Sequence, residues 1–180
     1  MLSDAMKFCS NCGSPVALRV PPGDTLPRYV CDSCSTIHYR NPLMVIGSIP
    51  EWEDCVLLCK RAIEPRSGLW TLPAGFMELG ETTAQGAIRE TIEEAGARVE
   101  LEGLYSLINV VRVGQVHLFY RARMLDTDFV PGPESLEAKL VREAEVPWDE
   151  IAFRTTKMTL EFYFADRREG RFTFHAADIA

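Results

Sequence analysis

Three glutamates close together on one predicted helix are the residues of this chain best placed for chemistry. Glu90 and Glu94 are four positions apart and Glu93 is three positions from Glu90, so on a helix their carboxylates project from one exposed face. Like charges at these spacings repel each other, and Arg89 is the only cation nearby in the sequence. Such a cluster suits Mg²⁺, which binds carboxylate oxygens together with water and substrate phosphates. The alternative is an acidic surface helix that packs through its other face.

The helix that carries these glutamates is predicted between Thr82 and Gly96. Thr82 and Gln85 form a capping-box pattern, which places the start of the helix near Thr82. Gly96 stands where a left-handed residue commonly ends a helix. Because Gly86 lies one turn before Glu90, we expect its missing side chain to leave room for a ligand at the carboxylates. The apolar stripe predicted to pack on the protein consists of Ala84, Ala87, Ile88, Thr91, Ile92 and Ala95.

The pattern around this helix resembles the signature of the Nudix hydrolase family. Gly75 is followed after five residues by Glu81, and Glu81 is followed after seven residues by the run Arg89-Glu90-x-x-Glu93-Glu94-x-Gly96. With the aliphatic position that follows Gly96, the match covers 23 residues. Thr91 is its one departure, since the signature has an aliphatic residue there.

The resemblance implies a Nudix fold, in which a mixed β-sheet is sandwiched between helices, so we expect an α/β protein. It also implies hydrolysis of nucleoside diphosphates linked to another group, with Mg²⁺ or Mn²⁺ as the catalytic cofactor. Arg89 would orient a carboxylate, and Glu81 would support the site. Glu93, Glu94 and Arg89 would be catalytic. Carried over by position, the metal ligands are Glu90, Glu93, Glu94 and the backbone carbonyl of Ala74.

A late glutamate often completes the metal site of Nudix enzymes or acts as the base, and it precedes a strand. Glu137 fits that place best, because it stands directly before a short predicted strand from Ala138 to Val141. Glu134 is the next candidate for this role, and it would contact the substrate or the metal. The alternative for Glu137 is a solvated acid in a loop.

Two arginines ahead of the signature are candidates for contact with substrate phosphate. Arg61 follows a predicted strand, and Arg66 lies in the loop that leads into the signature. A solvated loop arginine is an equally good interpretation of each. His117 lies on a predicted strand, where a single histidine is more often structural than catalytic.

Four cysteines near the N-terminus predict a second metal site. Cys9 with Cys12, and Cys31 with Cys34, form two Cys-x-x-Cys pairs, which are typical of tetrahedral Zn²⁺ sites. Several prolines and a glycine between the pairs predict turns, so we interpret the segment as a zinc ribbon. A segment below about 40 residues rarely folds without metal or disulfides, and two disulfides are the alternative. We expect the ribbon to be structural or to build a dimer.

The boundary between ribbon and main domain is predicted at Asn41-Pro42. This gives a zinc ribbon over residues 1–40 and a Nudix domain over residues 41–180. A second helix is predicted from Thr156 to Arg168, with Gly170 as its stop. Strands are predicted at Leu43 to Ile49, Val56 to Cys59, Val99 to Asn109, Gln115 to Met124, Ala138 to Val141 and Arg171 to His175.

The composition is that of an ordinary globular protein, with 47% hydrophobic and 25% charged residues among 180. The net charge of −7 argues against nucleic acid as the main partner. It does not argue against a small nucleotide, because bound metal ions reverse the local charge. The sequence from Met1 to Lys7 lacks the pattern of a secretory signal, and no apolar run approaches the roughly 20 residues of a membrane helix. We therefore expect a cytoplasmic protein without membrane contact.

A narrower resemblance, to the plant plastid FAD and ADP-ribose pyrophosphatases and their bacterial relatives, covers nearly the whole chain. It is carried by the four-cysteine ribbon and by residues 39–42, 57–61, 68–75 and 131–137. It implies that FAD is cleaved to FMN and AMP, or ADP-ribose to AMP and ribose 5-phosphate, by a bacterial homodimer. An NADH pyrophosphatase is an alternative, but the Ser-Gln-Pro-Trp-Pro-Phe-Pro run of that group is absent. A regulatory module that binds ADP-ribose without cleaving it is another, although such modules usually lose glutamates that this chain keeps.

Overall fold

The structure, a computed structural model, describes residues 5–180, and the chain divides after Pro42 into two compact units. The first four residues of the segment from Met1 to Lys7, for which no signal sequence is predicted, lie outside the described range. Within that range no helix combines the length and the apolar character needed to span a membrane.

The first unit is a small antiparallel sheet with two matching cysteine turns. Its strands are β1 (Val16–Arg19), β2 (Arg28–Cys31) and β3 (Ile37–His38), in the order β1-β2-β3. Each Cys-x-x-Cys pair is closed by a left-handed residue, Gly13 with φ +75° and Ser35 with φ +59°. The N–H of each donates to the carbonyl of the first cysteine in its pair, at 2.9 Å in both turns. The two turns therefore present their cysteines in the same local geometry.

The second unit is built on one mixed sheet of eight strands. Its six-stranded path has the order β10-β5-β4-β9-β8-β11, while β6 pairs with β5 and β7 pairs with β4. The pairs β4–β9 and β8–β11 are parallel and the others are antiparallel. The strands are β4 (Leu43–Trp52), β5 (Cys55–Arg61), β6 (Trp70–Thr71), β7 (Ala74–Phe76), β8 (Val99–Val110), β9 (Gln115–Met124), β10 (Ser135–Val141) and β11 (His175–Ile179).

Two helices, α1 (Thr83–Ala95) and α2 (Arg154–Glu169), pack on the sheet, and three short 3₁₀ helices lie at Val111–Val113, Glu143–Glu145 and Trp148–Glu150. Strand β5 shows that the two faces of the sheet are both buried. Val56 and Leu58 pack in the core that contains α2 residues, whereas Leu57 and Cys59 pack in the core that contains the end of α1. This two-sided sandwich confirms the predicted Nudix fold class.

Helix α1 begins and ends where the sequence predicts. Thr82 is its N-cap and exchanges the two capping-box hydrogen bonds with Gln85. Gly96 ends it in the left-handed conformation, and its N–H donates to the Ile92 carbonyl at 2.8 Å. The predicted apolar stripe is wrong at Ile92, which is 48% exposed. The buried face is rotated instead toward the side that carries Glu90 and Glu94.

Two other elements differ from the sequence prediction. The final strand is His175–Ile179 rather than Arg171 to His175, because residues 171–174 form the return from α2. The Asp166 carboxylate holds that return by accepting from the Thr173 N–H at 2.9 Å. Strand β10 begins at Ser135, so Glu137 lies inside the strand opposite Lys60 and not before it.

Thr91, the departure from the Nudix signature, is fully buried between α1 and β4. Its hydroxyl donates to the Ala87 carbonyl at 2.7 Å and lies 2.6 Å from the hydroxyl of Ser48 on β4. Since the Thr91 proton is used within the helix, the Ser48 hydroxyl is the donor between them. The polar residue is therefore satisfied by a second polar residue on the facing strand.

This pairing predicts a non-additive effect on stability. Ser48→Ala alone removes only the donor, whereas Thr91→Val alone leaves the Ser48 hydroxyl buried without a partner, and we expect that second change to cost about 1–3 kcal/mol. The double variant should be less destabilised than the sum of the two single changes. Urea unfolding of all four proteins measures this, and strict additivity would contradict the pairing.

Candidate active site

A cavity of about 680 Å³ in the second unit brings most of the predicted site residues together. One part of its wall is acidic, with glutamates from α1 and from the loop before β10, and the backbone of β7 lies beside them. Another part is apolar and contains Val45, Ile63, Phe119 and Phe153. The predicted site residues that line the cavity are Arg61, Ala74, Arg89, Glu90, Glu93, Glu94 and Glu134.

Two of the predicted metal ligands are buried, which corrects the expectation of an exposed cluster. Glu90 is 8% exposed and Glu94 is 6% exposed, whereas the side chain of Glu93 is 58% exposed. The Glu90 carboxylate lies against Gly75, where an added Cβ would stand 2.3 Å from its Oε1 atom. The helix face with these two carboxylates therefore turns inward, and it can do so because position 75 has no side chain.

Gly86 serves the packing of α1 rather than access to the carboxylates. A Cβ at this position would lie 2.0 Å from Ile46 Cδ1 and 2.6 Å from Glu81 Oε1. The space that we expected to admit a ligand is thus filled by strand β4 and by Glu81. The missing side chain lets the helix approach the sheet.

Arg89 holds the acidic side chains in place through nearly all its donors. Its Nε and Nη2 atoms donate to the two carboxylate oxygens of Glu81, at 3.0 Å and 2.8 Å. Its Nη1 atom donates to Glu90 at 2.6 Å and to Glu93 at 2.9 Å, and Nη2 also reaches the Phe76 carbonyl at 3.2 Å. The guanidinium lowers the pKa of Glu81 to about 2. A planar fork of this kind fixes carboxylates in orientation as well as in position.

Glu94 is a buried acid with little compensation from the protein. Burial raises its pKa to about 7, although the Ala74 N–H, which donates to its Oε2 atom at 3.0 Å, opposes the shift. The pKa of Glu90 is also raised by burial, against the effect of Arg89. Buried carboxylates without a full set of partners favour a bound cation. An all-oxygen donor set of this kind fits Mg²⁺ or Mn²⁺.

The carboxylates do not converge on one point. Among residues 5–180, the four cysteines are the one set of three or more acidic, histidine or cysteine ligands whose atoms all lie within 4.8 Å of one another. Glu93 is turned toward Arg89. A divalent cation would therefore be held first by the buried pair, Glu90 and Glu94.

The two candidate glutamates, and likewise the two candidate arginines, are placed differently. Glu134 lines the cavity, and its charge contributes to the raised pKa values of Glu90 and Glu94. Glu137 is exposed on β10 and is not among the residues that line the cavity. Arg61 lines the cavity, with its Nε donating to the Pro65 carbonyl at 2.9 Å and its guanidinium 5.0 Å from the centre of the Phe153 ring.

Arg66, by contrast, is exposed with φ +70° and lies outside the cavity lining. Thus each pair of sequence candidates has one member in the site and one outside it.

Several cavity residues were not predicted as site residues, and they include His117, for which the sequence favoured a structural role. Gln115, His117 and Phe119 alternate along β9, so they share one sheet face, and His117 pairs in register with Val45. Burial lowers the pKa of His117 to about 4, and its Nε2 atom lies 3.0 Å from Gln115 Oε1. The period-2 pattern could have placed these residues together. Phe153 carried no such signal, because its place depends on where α2 begins.

The four-cysteine set in the first unit has the geometry of a tetrahedral zinc site. Its sulfur atoms are 3.6 Å apart for Cys9 and Cys34, and 3.5 Å apart for Cys12 and Cys31. Four Zn–S bonds of the usual length would separate the sulfurs by about 3.8 Å. The Thr36 hydroxyl lies 3.1 Å from Cys34 Sγ and helps to lower the pKa of that thiol to about 5. All four thiols are free, so the disulfide alternative is not what the structure shows.

Comparison with known proteins agrees with both units. Residues 7–40 match the Nudix N-terminal zinc-ribbon family, and residues 45–163 match the NUDIX domain family. The chain belongs to the Nudix hydrolase family.

The relatives of this chain differ in how much of its length they share. A NUDIX hydrolase crystal structure from Nitrosomonas europaea is 56% identical, covers 97% of this chain and 99% of its own, and superposes with a TM-score of 0.93. An ADP-ribose pyrophosphatase from Streptococcus suis shares the fold at 19% identity and a TM-score of 0.60, over 77% of this chain and 100% of its own.

Among curated proteins, the NAD-capped RNA hydrolase NudC of Salmonella heidelberg is 36% identical over 94 residues. That match covers 52% of this chain and 35% of the relative, so the chain spans about a third of that protein's length.

Replacing Glu94 should raise stability while it removes activity. In the metal-free protein, ionisation of the buried Glu94 costs stability as the pH rises from its ordinary pKa of 4.5 to about 7. Glu94→Gln avoids that charge. The free energy of unfolding of the variant should therefore be about 3 kcal/mol higher than that of the parent at pH 8, and the difference should vanish below pH 4.5.

Denaturant unfolding at the two pH values, with a chelator present, measures the stability. Turnover of the metal-loaded variant should fall by orders of magnitude. A variant that is less stable than the parent at pH 8, or that turns over normally, would contradict the assignment.

The cysteine site predicts about one tightly bound Zn²⁺ per chain. Cys31→Ser should lose this metal and unfold the first unit, whereas Cys55→Ser should keep it, because Cys55 lies on β5 outside the set. Elemental analysis of the purified full chains decides this. Equal zinc content in the two variants would refute the site.

Proposed function

We propose that the chain is a divalent-metal-dependent pyrophosphatase that hydrolyses the diphosphate of a nucleotide cofactor, with FAD, ADP-ribose or both as substrates. The observation that carries the proposal is the pair of buried carboxylates, Glu90 and Glu94, at the wall of a cavity large enough for much of a dinucleotide. The Nudix family membership and the Nudix-type zinc ribbon support it.

The proposed reaction is attack of water on one phosphorus of the diphosphate, which forms a P–O bond to the water oxygen and breaks the bridging P–O bond. FAD then gives FMN and AMP, and ADP-ribose gives AMP and ribose 5-phosphate. A Mg²⁺ or Mn²⁺ ion bound at the site supplies neutralisation of phosphate charge and activation of water. Glu90, Glu93, Glu94 and the Ala74 carbonyl are the proposed ligands.

The remaining residues have separate proposed roles. Arg89 keeps the Glu90 carboxylate in place and leaves Glu94 to the cation. Glu134, which lines the cavity, takes the place of Glu137 as the residue that accepts the proton of the attacking water. Arg61 is held between the Pro65 carbonyl and the Phe153 ring, so it offers its remaining donors to a phosphate oxygen.

The apolar part of the cavity suits a flat ring. Phe119 and Phe153 lie in the wall with Val45 and Ile63, and aromatic side chains favour stacking with ring systems. A flavin, an adenine or a nicotinamide ring would each find such a surface. The cavity thus supports a dinucleotide but does not select among these rings.

A second candidate substrate is NAD(H), free or at the end of RNA. The match to proteins named NAD-capped RNA hydrolase favours it. The charge of −7 and the absence of the NADH-pyrophosphatase run disfavour it. A module that binds ADP-ribose without cleaving it is the remaining alternative. A homodimer, a cytoplasmic location and a structural role for the ribbon stay predictions from the sequence.

Product chromatography tests the proposal most simply. The full zinc-loaded chain with Mg²⁺ is incubated with FAD, ADP-ribose and NADH in parallel, with Glu94→Gln as the inactive control. FMN plus AMP, or AMP plus ribose 5-phosphate, is the expected result. Cleavage of NADH alone would move the assignment to the second candidate, and binding of ADP-ribose without cleavage by the parent would support the regulatory module.

A further inference from the structure

Helix α2 begins at the cavity without a side-chain cap. Its N-cap residue is Phe153, which lines the cavity and offers no capping hydrogen bond. The first helical hydrogen bond runs from the Lys157 N–H to the Phe153 carbonyl at 3.0 Å. The N–H groups of residues 154–156 therefore have no partner within the helix. In most helices such groups are satisfied by a cap, by water or by a ligand.

Thr155, in the first turn, has an unusual environment for a hydroxyl. The residue is 4% exposed and lines the cavity, and its Oγ1 atom finds no hydrogen-bond partner among the described residues. The next residue, Thr156, is equally buried, but its hydroxyl lies 3.1 Å from that of Thr71 on β6. A buried hydroxyl without a partner lowers stability. A ligand in the cavity would provide the hydrogen-bond partner that the Thr155 hydroxyl lacks in the protein.

The charge around this helix start is suited to an anion. The N-terminus of a 16-residue helix carries a partial positive charge, and no acidic residue lies in its first turn. Arg61 stacks on Phe153 at the same place. The Arg61 charge also acts on Glu94, which places the helix start near the carboxylates that would hold the metal.

We propose that the uncapped start of α2, the Thr155 hydroxyl and Arg61 bind the phosphate of the substrate that is not held at the carboxylates. The proposal rests on the function proposed above, because it needs a ligand with two linked phosphates. Backbone N–H groups, a hydroxyl and a guanidinium are all hydrogen-bond donors, and phosphate oxygens are acceptors only. This subsite would hold the second phosphate while the bridging bond breaks, and it would contribute to binding of the monophosphate product.

Thr155→Val tests the proposal, with Thr156→Val and Thr155→Ser as matched variants of the full zinc-loaded chain. Melting temperature and AMP affinity are measured for each by thermal-shift titration with Mg²⁺ present, and adenosine serves as the ligand without phosphate. We expect Thr155→Val to melt at or above the temperature of the parent, since it removes an unpaired buried hydroxyl. Thr156→Val should melt lower, because it removes the buried hydrogen bond between the Thr156 and Thr71 hydroxyls and leaves Thr71 with only its bond to the Leu72 carbonyl.

The affinity for AMP should fall about tenfold or more in Thr155→Val, as for a lost hydrogen bond to a charged group. It should be kept in Thr155→Ser, and adenosine affinity should not change. Parent-like AMP affinity in Thr155→Val, an equal loss for adenosine, or failure of the parent to bind AMP at millimolar concentration would overturn the proposal.

This test does not depend on turnover. A chain that cleaves no dinucleotide but loses AMP affinity in Thr155→Val would retain the phosphate subsite and refute the proposed activity. If the parent cleaves dinucleotides and Thr155→Val binds AMP as tightly as the parent, the proposed activity stands and the phosphate subsite is refuted.

Discussion

The carboxylates of Glu90 and Glu94 lie inside the protein, and much of the surrounding structure follows from the need to keep them there. A buried ionised carboxylate is costly unless charge or hydrogen bonds compensate for it. Arg89 compensates Glu90, and the Ala74 N–H partly compensates Glu94. Gly75 allows strand β7 to come close enough for this arrangement. A divalent cation would compensate the negative charge that the protein itself leaves without a partner.

The position of α1 on the sheet is set by small and polar contacts as much as by apolar ones. Gly86 brings the helix against Ile46 of β4, and the Ser48 and Thr91 hydroxyls join across the same interface. A hydroxyl pair has a defined distance and direction, whereas apolar side chains can slide. The helix that carries the carboxylates is thereby fixed in rotation, which matters because a turned helix would withdraw Glu90 and Glu94 from the cavity.

The parts of the fold that depend on local sequence were predictable. Helix α1 was bounded correctly because a capping box and a C-terminal glycine act within one turn of the helix ends. Strand β9 was bounded correctly because its alternating and β-branched residues are a local pattern. The spacing of the glutamates alone did not distinguish a metal site from an acidic surface helix. The Nudix signature favoured the metal site.

The parts that depend on contacts distant in sequence were not predictable. Glu137 was preferred over Glu134 because a strand was expected to begin at Ala138, but pairing of Ser135 with Arg61 on β5 starts β10 three residues earlier. The burial of Glu90 depends on Gly75, and the place of Phe153 at the cavity depends on how the start of α2 meets β5. Such contacts arise only when the whole sheet is assembled.

Cation binding by Glu90 and Glu94 can be tested by Mn²⁺ titration followed by electron paramagnetic resonance, with the protons released on binding measured in parallel. Because burial keeps the pKa of Glu94 near 7 in the free protein, Mn²⁺ binding near pH 6 should displace about one proton per ion. At pH 8.5 it should displace almost none, and Glu94→Gln should bind Mn²⁺ far more weakly at both pH values. Mn²⁺ binding of equal strength in Glu94→Gln, or no Mn²⁺ binding to the zinc-loaded parent, would show that these carboxylates do not hold the cation.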